Sequence, residues 1–102
     1  MKEIEEILKL DRTVHEPARL AILAVLSTVE SVDFKFLQHT LGLTQGNLSA
    51  HISKLERAGF IRVKKAFIGK RVRTELYLPE EGVAAFGREV GALRKFVKLL
   101  ET

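Results

Sequence analysis

The chain has 102 residues, of which 46% are hydrophobic and 29% are charged, as in an ordinary globular domain. It contains no cysteine, which excludes disulfides, thiolate metal sites and cysteine nucleophiles. No apolar run approaches the roughly 18 residues that a membrane span requires. We therefore expect a single cytoplasmic domain, residues 1–102, with no membrane partner.

The positive charge of the chain is concentrated in one segment. The formal net charge is +4, yet residues 51–75 contain eight basic residues and two acidic ones. Residues 1–50 contain five basic and seven acidic residues, and residues 76–102 contain four of each. A basic segment of this kind is either a solvated surface hairpin or a site for a polyanion, and the charge alone leaves both interpretations open.

Two helices are predicted in the first quarter of the chain. Met1, Ile4 and Leu8 form an apolar stripe, which predicts a short amphipathic helix within residues 1–10. A helix this short is stable only when it packs against another element. Pro17 favours the first position of a second helix, and the many apolar residues that follow predict that this helix is buried.

Residues 33–59 carry the boundary signals of two helices joined by a short turn. Asp33 and Thr44 are suited to cap the N-termini of these helices. Gly42 and Gly59 are suited to their C-terminal ends. The segment therefore predicts a helix-turn-helix.

The second helix of this pair has two different faces. At about 100° per residue, Leu48, Ile52 and Leu55 share one stripe, which predicts the core side. The residues of the opposite face are small, polar or basic: Gly46, Asn47, Ser49, Ala50, Ser53, Lys54 and Arg57. Such a face is either simply solvated or enters the major groove of DNA, where small residues permit close approach and Asn47 and Gln45 are able to pair with bases or phosphates.

Residues 60–78 predict a β-hairpin. Apolar residues alternate along both arms, and Gly69 lies between the arms at the tip. From residue 79 onward a helix is predicted again, and its apolar residues are separated by 3, 4, 3, 4 and 3 positions. They are Val83, Phe86, Val90, Leu93, Val97 and Leu100. This seam either packs within the chain or pairs with the same helix of a second copy, with Ile4 and Leu8 filling the groove.

Three segments resemble a known family. Residues 42–61, GLTQGNLSAHISKLERAGFI, look like the recognition-helix signature of the MarR/ArsR superfamily of prokaryotic winged-helix transcriptional regulators. Residues 15–23, HEPARLAIL, resemble the start of that domain, and residues 67–74, FIGKRVRT, resemble the wing of a short subgroup. The resemblance implies a winged helix-turn-helix, an α+β fold that is mainly α, with a two-stranded β-hairpin wing and terminal dimerisation helices.

The resemblance also implies a DNA-binding surface. The positions that would face the major groove or its phosphates are Thr44, Gln45, Gly46, Asn47, Ser49, Ala50, Ser53 and Lys54. The wing positions that would face the minor groove or the backbone are Lys65, Lys70, Arg71 and Arg73. Ala50 departs from relatives that often carry a long basic residue there, and the absence of cysteine excludes the thiolate metal sensing of the ArsR branch.

No pattern for catalysis or for a metal site is present. His15, His39 and His51 lie in three different predicted elements without a nearby acidic cluster, so we expect surface or capping roles for them. No nucleophile motif and no glycine-rich phosphate loop appears. We therefore expect no enzymatic activity, no cofactor and no bound metal.

Taken together, these observations predict a homodimeric regulator, a repressor, that binds specific double-stranded DNA sites. Residues 1–13 and 79–102 would form the dimer interface, because relatives are typically homodimers through their terminal helices. One alternative is a winged helix used for protein–protein assembly or DNA architecture, without a defined operator. Another adds an unidentified small-molecule effector between the domain and the dimer helices, although the MarR branch is usually longer and a roomy pocket is not expected in so short a chain.

Overall fold

The computed structural model describes residues 1–101, and these residues form five helices and three strands. In chain order the elements are α1 (Lys2–Leu8), α2 (Pro17–Leu26), β1 (Val32–Asp33), α3 (Phe34–Leu41), α4 (Gln45–Arg57), β2 (Arg62–Ile68), β3 (Arg71–Tyr77) and α5 (Glu80–Leu100). The predicted mainly helical α+β fold, a winged helix-turn-helix, is confirmed. The predicted last segment, 79–102, ends one residue beyond the described part of the chain.

The helix-turn-helix begins and ends where the sequence predicts. A side-chain oxygen of Asp33 accepts a hydrogen bond from the backbone N–H of Phe36 at 3.1 Å. The Thr44 hydroxyl accepts one from the backbone N–H of Asn47, also at 3.1 Å. Gly42 follows α3 in the left-handed conformation, with φ of 66°. Each cap satisfies a backbone group that the helix itself leaves without a partner.

The three strands form one antiparallel sheet in the order β1-β3-β2. The wing is the predicted two-stranded hairpin, with Arg62 opposite Tyr77 at its base and Ile68 opposite Arg71 at its tip. The sequence does not predict the third strand, β1. Two residues are too few to show an alternating pattern, and their partners on β3 lie more than 40 positions away, with Val32 opposite Leu76.

The core lies where α2, α3, α4, the sheet and the start of α5 meet. Its buried apolar residues are Val14, Ile22, Leu23, Leu26, Val32, Leu37, Leu48, Ile52, Leu55, Phe60, Ile61, Leu76 and Phe86. The predicted core stripe of α4 is thereby confirmed. At the start of α5, a Cβ on Gly82 would lie 2.1 Å from the carbonyl oxygen of Phe60, so the helix backbone packs directly on the chain that precedes the wing.

Helices α1 and α5 pack together and extend away from this core. The molecule is elongated, with dimensions of 56 × 26 × 21 Å. Lys95 Nζ lies 3.7 Å from a carboxylate oxygen of Glu6, and Glu89 Oε1 accepts a hydrogen bond of 2.8 Å from the backbone N–H of Asp11. No residue of α1 is buried. No helix among residues 1–101 combines the length and apolar character needed to span a bilayer.

The apolar seam of α5 divides into two parts. Phe86 is only 9% exposed and Val90 packs against the same core, so little of Phe86 remains available to a partner. Val83, Val97 and Leu100 are exposed. The predicted seam therefore packs against the core of its own chain at Phe86 and Val90 and presents apolar surface to solvent at Val83, Val97 and Leu100.

Candidate nucleic-acid interface

The recognition helix α4 presents its polar face to solvent. Its core stripe is buried, whereas each predicted DNA-facing position on α4 and at its cap is exposed. These exposed positions are Thr44, Gln45, Gly46, Asn47, Ser49, Ala50, Ser53, Lys54 and Arg57. The small side chains at positions 46 and 50 leave the helix backbone free to approach a groove about 12 Å wide. The structure thus places these residues on one accessible helical surface.

The wing ends in a tight turn. Strands β2 and β3 are separated by two residues, and the first of them, Gly69, has a φ of 63°. Lys70 has no positive φ, since none of the described non-glycine residues does. A positive φ at the first position alone is typical of a type II′ turn, whose twist matches that of the two strands. The turn therefore presents Lys70 and Arg71 at the very end of a narrow hairpin.

Three of the eight basic residues in the 51–75 segment are paired with acids. Arg62 forms an ion pair and a hydrogen bond with Glu81 of α5. The backbone N–H of Glu81 itself and the Arg62 guanidinium together lower the pKa of this carboxyl, against the opposing effect of desolvation. Lys64 Nζ lies 3.8 Å from a Glu75 carboxylate oxygen. These partners neutralise the base of the wing.

The third pair involves a residue of the predicted DNA-binding surface. Arg73 Nε lies 3.5 Å from Asp33 Oδ1, so its charge is already partly balanced. Five cations of the segment have no acidic partner within 4 Å among residues 1–101: Lys54, Arg57, Lys65, Lys70 and Arg71. All five belong to the predicted DNA-binding set. The free positive charge is therefore on the exposed face of α4 and toward the end of the wing.

A polar cluster that the sequence did not predict connects α2 to the recognition helix. Arg19 is 9% exposed; its Nε donates to the Thr13 carbonyl oxygen at 2.5 Å, and its terminal nitrogen lies 3.1 Å from His51 Nδ1. A guanidinium only donates hydrogen bonds, so Nδ1 of His51 is the acceptor in this contact. The only signal in the sequence was one arginine within an otherwise apolar helix.

Glu16 completes this cluster. Its carboxylate accepts hydrogen bonds from the backbone N–H groups of Ala18 and Arg19, at 3.1 and 3.0 Å, and lies 3.6 Å from His51 Nδ1. Burial opposes the charged form, but these N–H donors and the charge of Arg19 together lower the pKa of Glu16. The N-terminus of α2 is thereby joined to the side of α4.

The expectation of surface or capping roles for the histidines is wrong for two of the three. His39 is exposed. His51 is partly buried in the cluster just described, and His15 is partly buried with its Nε2 atom 3.9 Å from a Glu89 carboxylate oxygen. Neither is close to enough further ligands for a metal, because residues 1–101 contain no group of three His, Cys, Asp or Glu side chains so arranged.

A groove lies between the end of α2 and α5. Its volume is about 570 Å³, which falls within the range of ligand sites. Apolar side chains supply most of its lining, with Glu30 and Arg94 among the polar ones. Space on this scale was not expected from the length of the chain. Its lining joins Val29 and Glu30, which follow the end of α2, with residues of α5 from Val83 to Arg94.

Comparison with known proteins identifies the family. A family model described as a winged helix DNA-binding domain matches residues 18–97. The chain belongs to the winged-helix DNA-binding domain family. Protein MJ0432 of Methanocaldococcus jannaschii, itself uncharacterised, is a relative that is 37% identical over 83 residues, which cover 81% of this chain and 90% of that protein.

Solved structures agree with the winged-helix assignment. A transcriptional regulator homologue from Pyrococcus horikoshii OT3 superposes with a TM-score of 0.89 at 32% identity, and the match covers the whole of both chains. A MarR-family protein from Enterococcus faecalis V583 has a TM-score of 0.72 at 21% identity, over 87% of this chain and 79% of the other, which shows the shared fold. The predicted resemblance to winged-helix transcriptional regulators is confirmed, and the MarR-family structure shares the fold.

Proposed function

We propose that this winged-helix protein is a homodimeric transcriptional regulator, a repressor, that binds specific sites in double-stranded DNA. The observation that carries the proposal is the exposed small and polar face of α4 combined with five cations that have no acidic partner within residues 1–101. A face that served only solvation would not require small residues at the positions nearest the helix N-terminus. A polyanion supplies the countercharge that the described part of the chain lacks.

In the proposed complex α4 lies in the major groove. Gln45 and Asn47 are exposed at its N-terminal end, where amide side chains are able to pair with base edges. Ser49 and Ser53 are positioned on the same face for phosphate oxygens. Lys54, exposed further along the same helix, adds a positive charge that would contact a phosphate. Repression then follows from occupation of a site that the transcription machinery needs.

Dimerisation is supported by the apolar surface of the two terminal helices. Helices α1 and α5 pack together, and Ile4, Leu8, Val97 and Leu100 are exposed on them. Exposed apolar side chains on two helices that pack together are typical of an association site in soluble proteins. A two-fold dimer would place two α4 helices about 34 Å apart, which fits a pseudo-palindromic DNA site.

The dimer is tested by the mass in solution. Val97→Glu and Leu8→Glu each place a charge on the proposed interface without altering a buried residue, and we expect a monomer for each by light scattering. Phe36→Glu is the matched control, since Phe36 is an exposed apolar residue on α3. A dimer that persists in both interface variants would refute this interface.

DNA binding is tested by selecting bound duplexes from a random pool and titrating the best one with salt. An operator-binding regulator enriches a two-fold symmetric sequence that it binds about 10³-fold or more tighter than other duplexes. An architectural protein instead binds all duplexes similarly, with a steep salt dependence. Absence of duplex binding at low salt would refute both interpretations and favour protein–protein assembly.

Ligand-responsive regulation is a second candidate, and the groove beside α5 favours it. Two winged-helix proteins at 18–19% identity were solved with ligands, one with 4-hydroxyphenylacetate and one with its natural ligand. Arg94 at this groove would suit a carboxylate. We expect 4-hydroxyphenylacetate, used as a probe, to raise the melting temperature of the wild type more than that of Arg94→Gln. Equal shifts would exclude this site for carboxylates.

A further inference from the structure

The end of the wing carries large apolar side chains that the fold does not bury. Phe67 is 74% exposed, Val72 58% and Ile68 56%. We name these three residues the apolar wing tip. Phe67 and Val72 lie directly opposite each other across the strands, and Ile68 lies on the other face of the hairpin. The hairpin therefore presents apolar surface on both of its faces just before the turn.

The two faces of the wing differ in what lies nearer the body. The face of Phe67 and Val72 continues toward the base of the wing through Lys65 and Thr74 to Val63 and Leu76. Leu76 is fully buried in the core. Phe67 and Val72 continue the same row beyond the core, where residues 1–101 do not cover them. A cross-strand pair contributes to the stability of the hairpin, but this role does not require a side chain as large and as exposed as that of Phe67.

The charges around the tip indicate which partner covers it. Residues 62–74 contain six basic residues and no acidic residue. Lys65 donates a hydrogen bond of 2.7 Å to the Thr74 hydroxyl, and neither Lys70 nor Arg71 has an acidic partner within 4 Å among residues 1–101. Apolar side chains surrounded by unneutralised cations are complementary to a polyanion that also has an apolar interior. Duplex DNA has both properties, in its phosphates and its stacked bases.

We propose that the apolar wing tip inserts into the minor groove and partly unstacks a base step, with Phe67 as the leading side chain. This inference rests on the proposed DNA-binding function. A two-stranded ribbon has strands about 4.8 Å apart, so with its side chains it is too wide to lie in a minor groove of about 6 Å without widening it. Apolar side chains that wedge between base steps widen this groove and kink the duplex by about 20–90°. The wing therefore bends the DNA as well as adding positive charge.

The test measures bending and unstacking rather than affinity alone. The probe is a duplex selected by the wild-type protein, labelled at both ends for energy transfer. A second version carries 2-aminopurine at steps that hydroxyl-radical footprinting assigns to the wing. We expect the wild type to shorten the end-to-end distance and to raise 2-aminopurine fluorescence. Phe67→Thr, which keeps a strand-forming residue, should abolish most of both signals and weaken binding about tenfold.

Two further variants separate insertion from hairpin stability. Phe67→Leu keeps an apolar wedge and should retain most of the bend and of the unstacking signal. Phe36→Thr alters a phenylalanine that is 59% exposed on α3 and should leave both signals unchanged. Bending and unstacking that survive in Phe67→Thr would overturn the inference while leaving the proposed DNA binding intact.

Other outcomes also decide the question. A change in the mass of the DNA-free protein in Phe67→Thr would show that the tip binds a second copy of the chain, and it would overturn insertion. Failure of the wild type to bind any duplex would refute the proposed function itself, and this result is distinct from binding without bending.

Discussion

We expect that the cations of the basic segment that lack an acidic partner contribute most to DNA binding. Lys70 and Arg71 have none among residues 1–101, whereas Arg62 is held by Glu81. Replacement of Lys70 and Arg71 by glutamine removes two proposed phosphate contacts from each wing, or four from a dimer. Each contact contributes about 0.9 to the slope of log affinity against log salt, so we expect the slope to fall by about 3.6.

This change of slope is large enough to measure. Between 50 and 200 mM salt, the affinity of the wild type should fall by about a hundredfold more than that of the double variant. Fluorescence anisotropy with a labelled duplex at four or five salt concentrations gives the slope directly. Arg62→Gln is the matched control, because its guanidinium is engaged by Glu81 at the base of the wing. It should leave the slope nearly unchanged.

Two results would contradict this prediction. If Arg62→Gln reduces the slope as much per residue as the double variant does, pairing with Glu81 does not determine which cations meet the phosphates. If the double variant keeps the wild-type slope and affinity, the wing does not contact the backbone. Thermal unfolding of both variants in the absence of DNA checks that neither result reflects loss of the fold.

Three predictions concern the scaffold that holds the recognition helix. Gly82→Ala should destabilise the protein by several kcal/mol in urea titrations, because its Cβ would lie 2.1 Å from the Phe60 carbonyl oxygen; an unchanged midpoint would show that α5 moves freely. Glu16→Gln should cost about 1 kcal/mol at pH 7. Folding lowers the pKa of Glu16, so the ionised carboxylate stabilises the fold fully at pH values above the pKa of an unfolded glutamate, about 4.3. This stabilisation is lost as the pH falls through the lower pKa of the folded state. The free energies of unfolding of the wild type and of this variant should therefore converge in acid. Arg19→Met leaves His51 without its hydrogen-bond donor and should lower the free energy of unfolding by about 1–3 kcal/mol. Arg19→Lys keeps a donor and should lose less stability. Equal melting temperatures for the wild type and both variants would exclude a structural role for the cluster.

The helix-turn-helix was predictable from sequence because its signals are local. A cap such as Thr44 acts on an N–H three residues away, and Gly42 ends α3 through its own backbone conformation. The buried stripe of α4 follows from helical periodicity alone. The exposed candidate surface follows in turn, since the opposite side of a helix with one buried stripe must face solvent.

The tertiary structure was needed wherever distant residues meet. Strand β1 pairs with β3 across more than 40 positions, and Arg19 reaches His51 across 32. The seam of α5 has one uniform spacing, but only the packed chain shows that Phe86 is buried while Val97 is exposed. No periodicity distinguishes those two positions.

Spacing, caps and composition were enough to predict the order of the five helices and the hairpin, the boundaries of the helix-turn-helix and the position of the basic segment. Which basic residues of that segment lack an acidic partner among residues 1–101 became clear from the folded chain alone. Arg62 and Arg73 have acidic neighbours on other elements, Glu81 of α5 and Asp33 of β1, and Lys64 has Glu75 on the adjacent strand. The physical reason is that an ion pair depends on a distance of a few ångströms in space, and separation along the chain does not determine that distance.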